Sequence, residues 1–173
     1  LRFGQGLVMN SDFALGKAML MQGLGRPSGT IKPHRGTGEG DYYTGAAATL
    51  AWHSWQVTTF ASYRQLDATL NGAAISTLKT DGYHRTPTEL ARRGNTRGNL
   101  FGLHLGYAEH GFHVGATAMY QSFNRNFAQP TQPYKQYAPQ GHSFLNFSAD
   151  DAWHHHRLSI IGETAIDGKG SVA

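Results

Sequence analysis

The sequence of 173 residues contains no cysteine, which excludes disulfide bonds, thiol catalysis and cysteine-based zinc sites. It also lacks an apolar run of about 18 residues, so it predicts no transmembrane helix. The net charge of +4 is compatible with nucleic acid or anionic lipid as a neighbour, but basic residues never form a run of about five or six that would argue for either. Hydrophobic residues make up 39% of the chain, which is low for a soluble domain.

Glycine and aromatic residues are abundant instead. The chain has 22 glycines and an aromatic content of 12%, whereas glycine usually accounts for about 7% of residues. The glycines follow no Gly-X-Y repeat, which excludes collagen, and the aromatic content argues against disorder. Glycine in strands marks bulges and close backbone approach, so the composition predicts a strand-rich architecture.

Residues 100–123 alternate strictly between two kinds of side chain. One set is apolar and aromatic, and consists of Phe101, Leu103, Leu105, Tyr107, Val114, Ala116, Ala118 and Tyr120. The other set is small or polar and includes His104 and His113. Strands of this length, tilted by about 40°, project to roughly 15–20 Å, comparable to the ~25 Å apolar band of an outer-membrane barrel.

Charge supports the same interpretation. Residues 99–122 contain one acid and neither Lys nor Arg, although the exposed face of a soluble sandwich carries many charges. We therefore predict an all-β fold, an antiparallel transmembrane β-barrel or a segment of a larger one, with long polar loops and one short helix. A soluble β-barrel or sandwich is the alternative.

Short turns are expected to alternate with long connections along the chain. The predicted strands are 1–9, 45–54, 55–70, the two halves of 99–122, 142–149 and 156–167, while 12–22 fits a helix or a strand. The predicted short turns are 53–55, 109–111 and 150–155, and the long connections are 23–44, 71–97 and 124–141. Thr86 and Glu89 form a capping box with Pro87 at the first helical position, which predicts a helix over 87–93.

Short turns at one end and long loops at the other are typical of an outer-membrane barrel. Neither end of the sequence has a finishing element. We therefore expect residues 1–173 to be one β-barrel region within a longer chain.

Ionisable residues on the small-residue face are candidates for the lumen. His104 and His113 share that face of one hairpin and titrate near neutral pH when unperturbed. Glu163 has the opposite parity to its apolar neighbours in the last strand, so it faces the lumen if they face lipid. Arg64 is its predicted ion-pair partner.

The long connections carry the candidates for binding. Arg85, Arg92 and Arg93 are placed to meet phosphate or lipopolysaccharide, although a solvated surface helix is the simpler interpretation. Tyr134 and Tyr137 lie in a proline-rich loop that fits carbohydrate or a protein partner. The expected partners are outer-membrane lipid or lipopolysaccharide and other envelope proteins.

Metal binding and catalysis have weaker support. His154 and His156 would share a face of a strand and can chelate zinc, but no third ligand is evident, so we expect no metal and no cofactor. The sequence has no Gly-x-Ser-x-Gly motif. An outer-membrane lipid-modifying enzyme using Ser143 or Ser148 with a nearby histidine is kept as an alternative.

Four segments carry a resemblance to a known family: LRFGQGLVMNSDFALGK, IKPHRGTGEGDYYTGAAATL, ISTLKTDGYHRTPTEL and HHHRLSIIGETAID. In this order they resemble the predicted outer-membrane barrel of a Bacteroidota family whose members carry helix-hairpin-helix motifs and are often labelled as related to the DNA-uptake protein ComEA. This sequence has no helix-hairpin-helix segment, so the resemblance implies no DNA-binding residue here. We expect a Gram-negative outer-membrane protein with a non-enzymatic role in transport, as a pore, or as a scaffold of an envelope complex.

Overall fold

The structure is a computed structural model and describes residues 43–129, 140–156 and 158–168. The described residues form seven strands and one short helix, which confirms the all-β prediction. The strands are β1 (Gly45–Trp52), β2 (Trp55–Asn71), β3 (Ala74–Lys79), β4 (Thr96–Glu109), β5 (Phe112–Phe127), β6 (Gly141–His155) and β7 (Leu158–Asp167), and the helix is α1 (Pro87–Leu90). The predicted strand 1–9, the segment 12–22 and the tyrosines Tyr134 and Tyr137 lie outside the described residues.

Six of the strands form an antiparallel sheet in the order β1, β2, β4, β5, β6, β7. The remaining strand, β3, pairs with the C-terminal end of β2 and makes one parallel bridge to β5, between Ile75 and Phe127. As a result, β2, β3, β5 and β4 form a closed four-strand ring. In the described part of the chain, no helix is long and apolar enough to cross a bilayer.

Three tight turns lie at the same end of the sheet, as predicted for the first two. The turns after β1, β4 and β6 contain His53, His110 and His156, each with a positive φ of 53°, 48° and 52° respectively. This left-handed conformation suits the short turns whose twist matches that of the flanking strands.

The predicted turn at 150–155 is wrong, because β6 continues through these residues to His155. Each residue from Asp150 to His155 has a partner on β7, and Asp150 to Trp153 also have partners on β5. Pairing on both sides satisfies the backbone donors and acceptors of this segment, which outweighs the turn preference of two adjacent aspartates.

Three further boundaries differ from the predictions. The connection 71–97 was expected to hold only a short helix, but it contains β3, which folds back on β2 after a turn at Gly72 with a φ of 61°. Helix α1 is capped as predicted and ends at Leu90 rather than at residue 93, because the chain leaves it through turns that end at Gly94, with a φ of 57°. Strand β5 extends to Phe127, into the predicted loop 124–141.

Apolar side chains fill the inner face of the ring at the end away from the tight turns. One buried cluster consists of Phe60, Leu100 and Met119, and a second of Ala68, Ile75 and Phe123. Phe123 also makes edge-on ring contacts with Phe127 and Phe144. The interior here is packed with side chains rather than open.

Gly102 lies directly beneath the Phe60 ring, and a Cβ added at this position would stand 2.0 Å from its nearest ring carbon. We expect Gly102→Ala to lower the free energy of unfolding by about 1–3 kcal/mol, because a methyl group overpacks this core. The measurement is a denaturant titration of the folded band on gels. Combining the change with Phe60→Leu should restore part of the loss, and equal losses with and without Phe60→Leu would contradict the contact.

Candidate functional site

The outward face of the sheet exposes large apolar side chains on every strand of the six-strand order. They are Leu50, Trp52, Trp55, Tyr63, Phe101, Leu103, Leu105, Phe112, Val114, Tyr120, Leu145, Phe147, Trp153, Leu158, Ile160 and Ile166. Leu103, in the middle of the sheet, is 49% exposed. Contiguous apolar surface of this kind is rare on soluble monomers and marks a site of contact with protein or membrane.

Aromatic side chains border this apolar face at both ends. The turn-side band contains Trp52, Trp55, Tyr107, Phe112 and Trp153, and the loop-side band contains Tyr63, Phe101 and Tyr120. Six to eight residues separate the two bands along a strand, which corresponds to roughly 20–26 Å.

From β2 to β5 both bands shift by two residues toward the tight turns, the loop-side band at β4 and the turn-side band at β5. On the loop side, Tyr63 pairs with Asn99, whereas Phe101 pairs with Tyr120 two residues further along. On the turn side, Trp55 pairs with Tyr107 at the same level. The next aromatic residue, Phe112, pairs with Glu109, which is two residues nearer the tight turn than Tyr107. A shift of both bands in the same direction along the strands is the pattern expected when tilted strands present two aromatic girdles.

The acidic residue Asp151 lies on the outward face beside the turn-side band. Asp151 is exposed on β6 and pairs with Val114, which is itself paired with Tyr107. It is therefore level with the turn-side band, at the border of the apolar region. Its carboxylate lies against Gly162, where an added Cβ would be 2.6 Å from Oδ1.

The inward face carries a row of buried polar residues at the turn-side half of the sheet. Thr58, His104, Thr117 and Ser148 are in register on four neighbouring strands, and all are buried. His104 is only 2% exposed, and its Nδ1 lies 2.9 Å from Thr117 Oγ1. The Thr58 and Thr49 hydroxyl groups are hydrogen-bonded to each other, with their oxygens 3.0 Å apart.

The next two inward rows toward the tight turns hold a histidine–aspartate pair, with Asp150 in the first row and His113 in the second. His113 Nε2 lies 3.0 Å from Asp150 Oδ2, and the Asp150 side chain is 3% exposed. Asp150 stands over Gly115, where an added Cβ would be 2.6 Å from Oδ1, while a Cβ at Gly106 would be 3.3 Å from His104 Nε2. The two glycines are register partners, so together they make the space that the imidazoles and the carboxylate occupy.

We call His104, His113, Thr117, Ser148 and Asp150 the inner polar cluster. Among the described residues, Asp150 Oδ1 and Ser148 Oγ are buried and have no hydrogen-bond partner. No group of three metal-ligating side chains occurs in the same part of the chain. Buried oxygens without a protein partner are positions at which ordered water is bound in other proteins.

The enzyme alternative names Ser143 and Ser148. In the described part of the chain, Ser148 Oγ makes no hydrogen bond, and Thr117 Oγ1 lies 2.9 Å from His104 Nδ1. Ser143 is exposed and paired with Ser122 on the outward side of the sheet. A nucleophilic serine needs a base within hydrogen-bond reach.

The predicted lumen residues all lie on the inward face. His113 hydrogen-bonds there to Asp150, which the sequence places in a predicted turn, and His104 hydrogen-bonds to Thr117. Glu163 lies on β7 directly opposite Asp150, and Arg64 lies on β2 opposite Gly98. The ion pair between Arg64 and Glu163 stays a prediction. The sequence signal for the inward position of Asp150 is its spacing of two residues from both Ser148 and Ala152, which places the three residues on the same face of β6.

The predicted histidine pair does not share a strand face. His154 Nδ1 lies 2.9 Å from Ser159 Oγ across the hairpin, whereas His156 lies in the turn. His155, between them, stacks on Trp153 with ring centroids 5.7 Å apart. The shared face proposed for zinc chelation by His154 and His156 is therefore wrong.

The arginine candidates surround α1 at the opposite end of the sheet. Arg85 is exposed, with its guanidinium carbon 3.9 Å from the centroid of the Tyr83 ring. Arg93 is also exposed, and Arg92 is half-buried. The backbone N–H of Arg85 donates to the carboxylate of Glu89 and holds the pKa of that carboxyl below its usual range.

Comparison with known proteins gives no relative from which a role can be read. No protein-family model, no curated protein and no solved structure matches this chain.

Proposed function

We propose that this chain forms the barrel region of a Gram-negative outer-membrane protein with a non-enzymatic role as a scaffold in an envelope complex or a transport component. The observation that carries the proposal is the outward apolar face between two aromatic bands. An outer-membrane barrel has such a face, about 25 Å tall, with aromatic girdles at both membrane interfaces.

The energetics of the two faces support this assignment. Burying a Leu, Val or Phe side chain is worth about 1.5–3 kcal/mol relative to leaving it in water, and sixteen large apolar side chains are exposed here. Lipid tails would remove this surface from water without a protein partner. Buried polar residues occupy the turn-side half of the inward face, beside the apolar clusters of the ring, whereas the inner face of a soluble sandwich is its hydrophobic core.

The surface between the bands also suits acyl chains. An open groove of about 400 Å³ crosses the outward face between Leu103, Phe147 and Ile166. Its floor is made by the small side chains of Ala116, Ala118 and Ala149. Polar atoms contribute little to the groove, so it offers water no hydrogen bonds.

A packed interior favours a scaffold over an open pore. Phe60, Leu100 and Met119 fill the ring at one level, and the inner polar cluster is buried at the next. Transport would therefore require either a change in this packing or a path formed with other envelope proteins. The resemblance to the Bacteroidota barrel family supports the same location and class of role.

The test is the dependence of folding on detergent or lipid. We expect the refolded chain to show β-type circular dichroism and heat-modified gel mobility in dodecylmaltoside or phosphatidylcholine vesicles, and to aggregate in plain buffer. A monodisperse β-rich monomer in plain buffer would contradict the proposal and favour the soluble binding module. Refolding in both conditions uses one preparation, so the expression history of the sample is the same.

A further inference from the structure

Residues 81–95 form a compact excursion between β3 and β4, at the end of the sheet away from the tight turns. Helix α1 lies in the middle of this excursion. Thr86 Oγ1 accepts from the backbone of Glu89 at 3.2 Å, and the Glu89 carboxylate accepts from the backbone of Thr86 at 3.1 Å. Both halves of the capping box are therefore made, and the short helix has a defined start.

The excursion is fixed to the end of β2 by a small set of polar contacts. Asp67 receives the backbone N–H of Gly94 at 2.7 Å and contacts His84 Nε2 at 2.6 Å. The Asn95 side chain bonds both backbone groups of Ala68, at 3.1 and 2.8 Å. These contacts attach both ends of the excursion to Asp67 and Ala68 of β2. The side chains on the outer surface of the excursion therefore have a defined position relative to the sheet.

The outer surface of the excursion combines apolar and basic side chains. Tyr83 is 53% exposed and Leu90 is 51% exposed. Arg85 lies on the Tyr83 ring, and Arg92 and Arg93 follow the helix. Exposed Leu and Tyr beside arginines are typical of segments that lie in a membrane interface, where rings and alkyl groups meet the acyl boundary and the charges remain at the headgroups.

A fourth arginine extends this surface onto the sheet. Arg97 is exposed on the outward face of β4 and pairs with Gln65, two residues beyond Tyr63 of the loop-side band. Two residues correspond to roughly 7 Å along a strand. Arg97 therefore lies just outside the apolar face, at the level where headgroups begin if the loop-side band marks a membrane interface.

Most of this positive charge is uncompensated. No ion pair within the described residues involves Arg92, Arg93 or Arg97. The nearby acids are already engaged, since Glu89 caps α1 and Asp67 holds His84 and Gly94. Asp81 is exposed and accepts weakly from the backbone of Tyr83, so it offsets one of the four charges at most.

We propose that Arg85, Arg92, Arg93 and Arg97 form a binding surface for the phosphate groups of anionic lipid headgroups. The planar guanidinium binds phosphate through paired hydrogen bonds, which explains the use of arginine rather than lysine at all four positions. The inference rests on the proposed membrane location and adds a lipid partner of stated chemistry. It also predicts that the loop end of the sheet faces the leaflet richer in phosphate-bearing lipid.

The experiment uses the chain folded in dodecylmaltoside micelles and titrated with phosphatidylglycerol or phosphatidylcholine of the same acyl chains. Thermal loss of the heat-modified band reports stabilisation by each lipid. We expect phosphatidylglycerol to raise the melting temperature more than phosphatidylcholine does. Replacing the four arginines by glutamine should weaken the apparent affinity for phosphatidylglycerol by roughly fivefold per charge and leave the melting temperature without lipid unchanged.

A variant with four Arg→Lys substitutions is the matched control and should bind phosphatidylglycerol more weakly than the wild type but more strongly than the glutamine variant, because it keeps the charge and loses the paired hydrogen bonds. Equal shifts with both lipids, or an undiminished shift in the glutamine variant, would overturn the proposal. A shift of the same size with inorganic phosphate or with polyglutamate would assign the arginines to a soluble anion or an acidic protein and overturn it as well. A wild-type chain that needs detergent but shows no lipid preference contradicts this inference alone, whereas one that folds without detergent contradicts the membrane location.

Discussion

Leu103→Arg is expected to lower the free energy of unfolding in phosphatidylcholine vesicles by about 2–4 kcal/mol. Leu103 lies on the outward face, between Phe101 of the loop-side band and Tyr107 of the turn-side band, and it is half-exposed. In a membrane barrel, an arginine at the middle of the lipid-facing band costs about 2–4 kcal/mol. That loss is a large part of the total stability of a small domain, which is about 5–15 kcal/mol. Urea titration of the heat-modified band measures the change.

Ser143→Arg is the matched control for depth. Ser143 is also exposed on the outward face, but it pairs with Ser122, two residues beyond Tyr120 of the loop-side band. An arginine near the membrane interface costs only about 0–1 kcal/mol. A large difference between the two arginine variants would therefore report a depth profile. Equal and small effects of both substitutions, as expected for a surface in water, would argue against the lipid-facing assignment.

His113→Ala is expected to destabilise the fold by about 3–5 kcal/mol, because it leaves the Asp150 carboxylate buried without its partner. The two side chains are 3.0 Å apart, and the Asp150 side chain is 3% exposed. Asp150 Oδ1 already lacks a hydrogen-bond partner in the described residues, so the loss of His113 removes the donor to the other oxygen. The denaturation midpoint of the folded band is the measurement.

Two further variants separate this effect from the loss of any histidine. His110 lies three residues away in the tight turn with its side chain 90% exposed, and His110→Ala should change stability little. The double variant His113→Ala with Asp150→Ala should cost less than the sum of the single changes, because it removes the unpaired charge together with its partner. Additive losses in the double variant would show that the pair is not coupled.

Local patterns in the sequence were sufficient for the faces of the sheet. The alternation from Phe101 to Tyr107 predicts which side chains face outward, since strand parity depends only on spacing. The capping box at Thr86 and Glu89 likewise predicts the start of α1, because its hydrogen bonds connect residues three positions apart. These features need no knowledge of the neighbouring strands.

The candidate site depends on register, which the sequence does not display. Asp150 was read as part of a turn because two aspartates and three histidines occur together, yet pairing with β5 and β7 holds it in a strand. The space that Gly106 and Gly115 leave for the Asp150 carboxylate and the imidazoles exists only because these glycines are opposite one another. Strand β3 was missed for a related reason, since it is short and its pairing with β2 follows a tight turn.

The contact between Asp150 and Gly115 limits which residues can occupy position 115 in related proteins. A Cβ at residue 115 would lie 2.6 Å from Asp150 Oδ1, so any larger residue there requires the Asp150 carboxylate to shift or Asp150 to be replaced by a smaller residue. Either change disturbs the contact that His113 makes with Asp150. We therefore expect His113, Gly115 and Asp150 to vary together among related sequences, so that their joint variation shows whether the buried pair is kept.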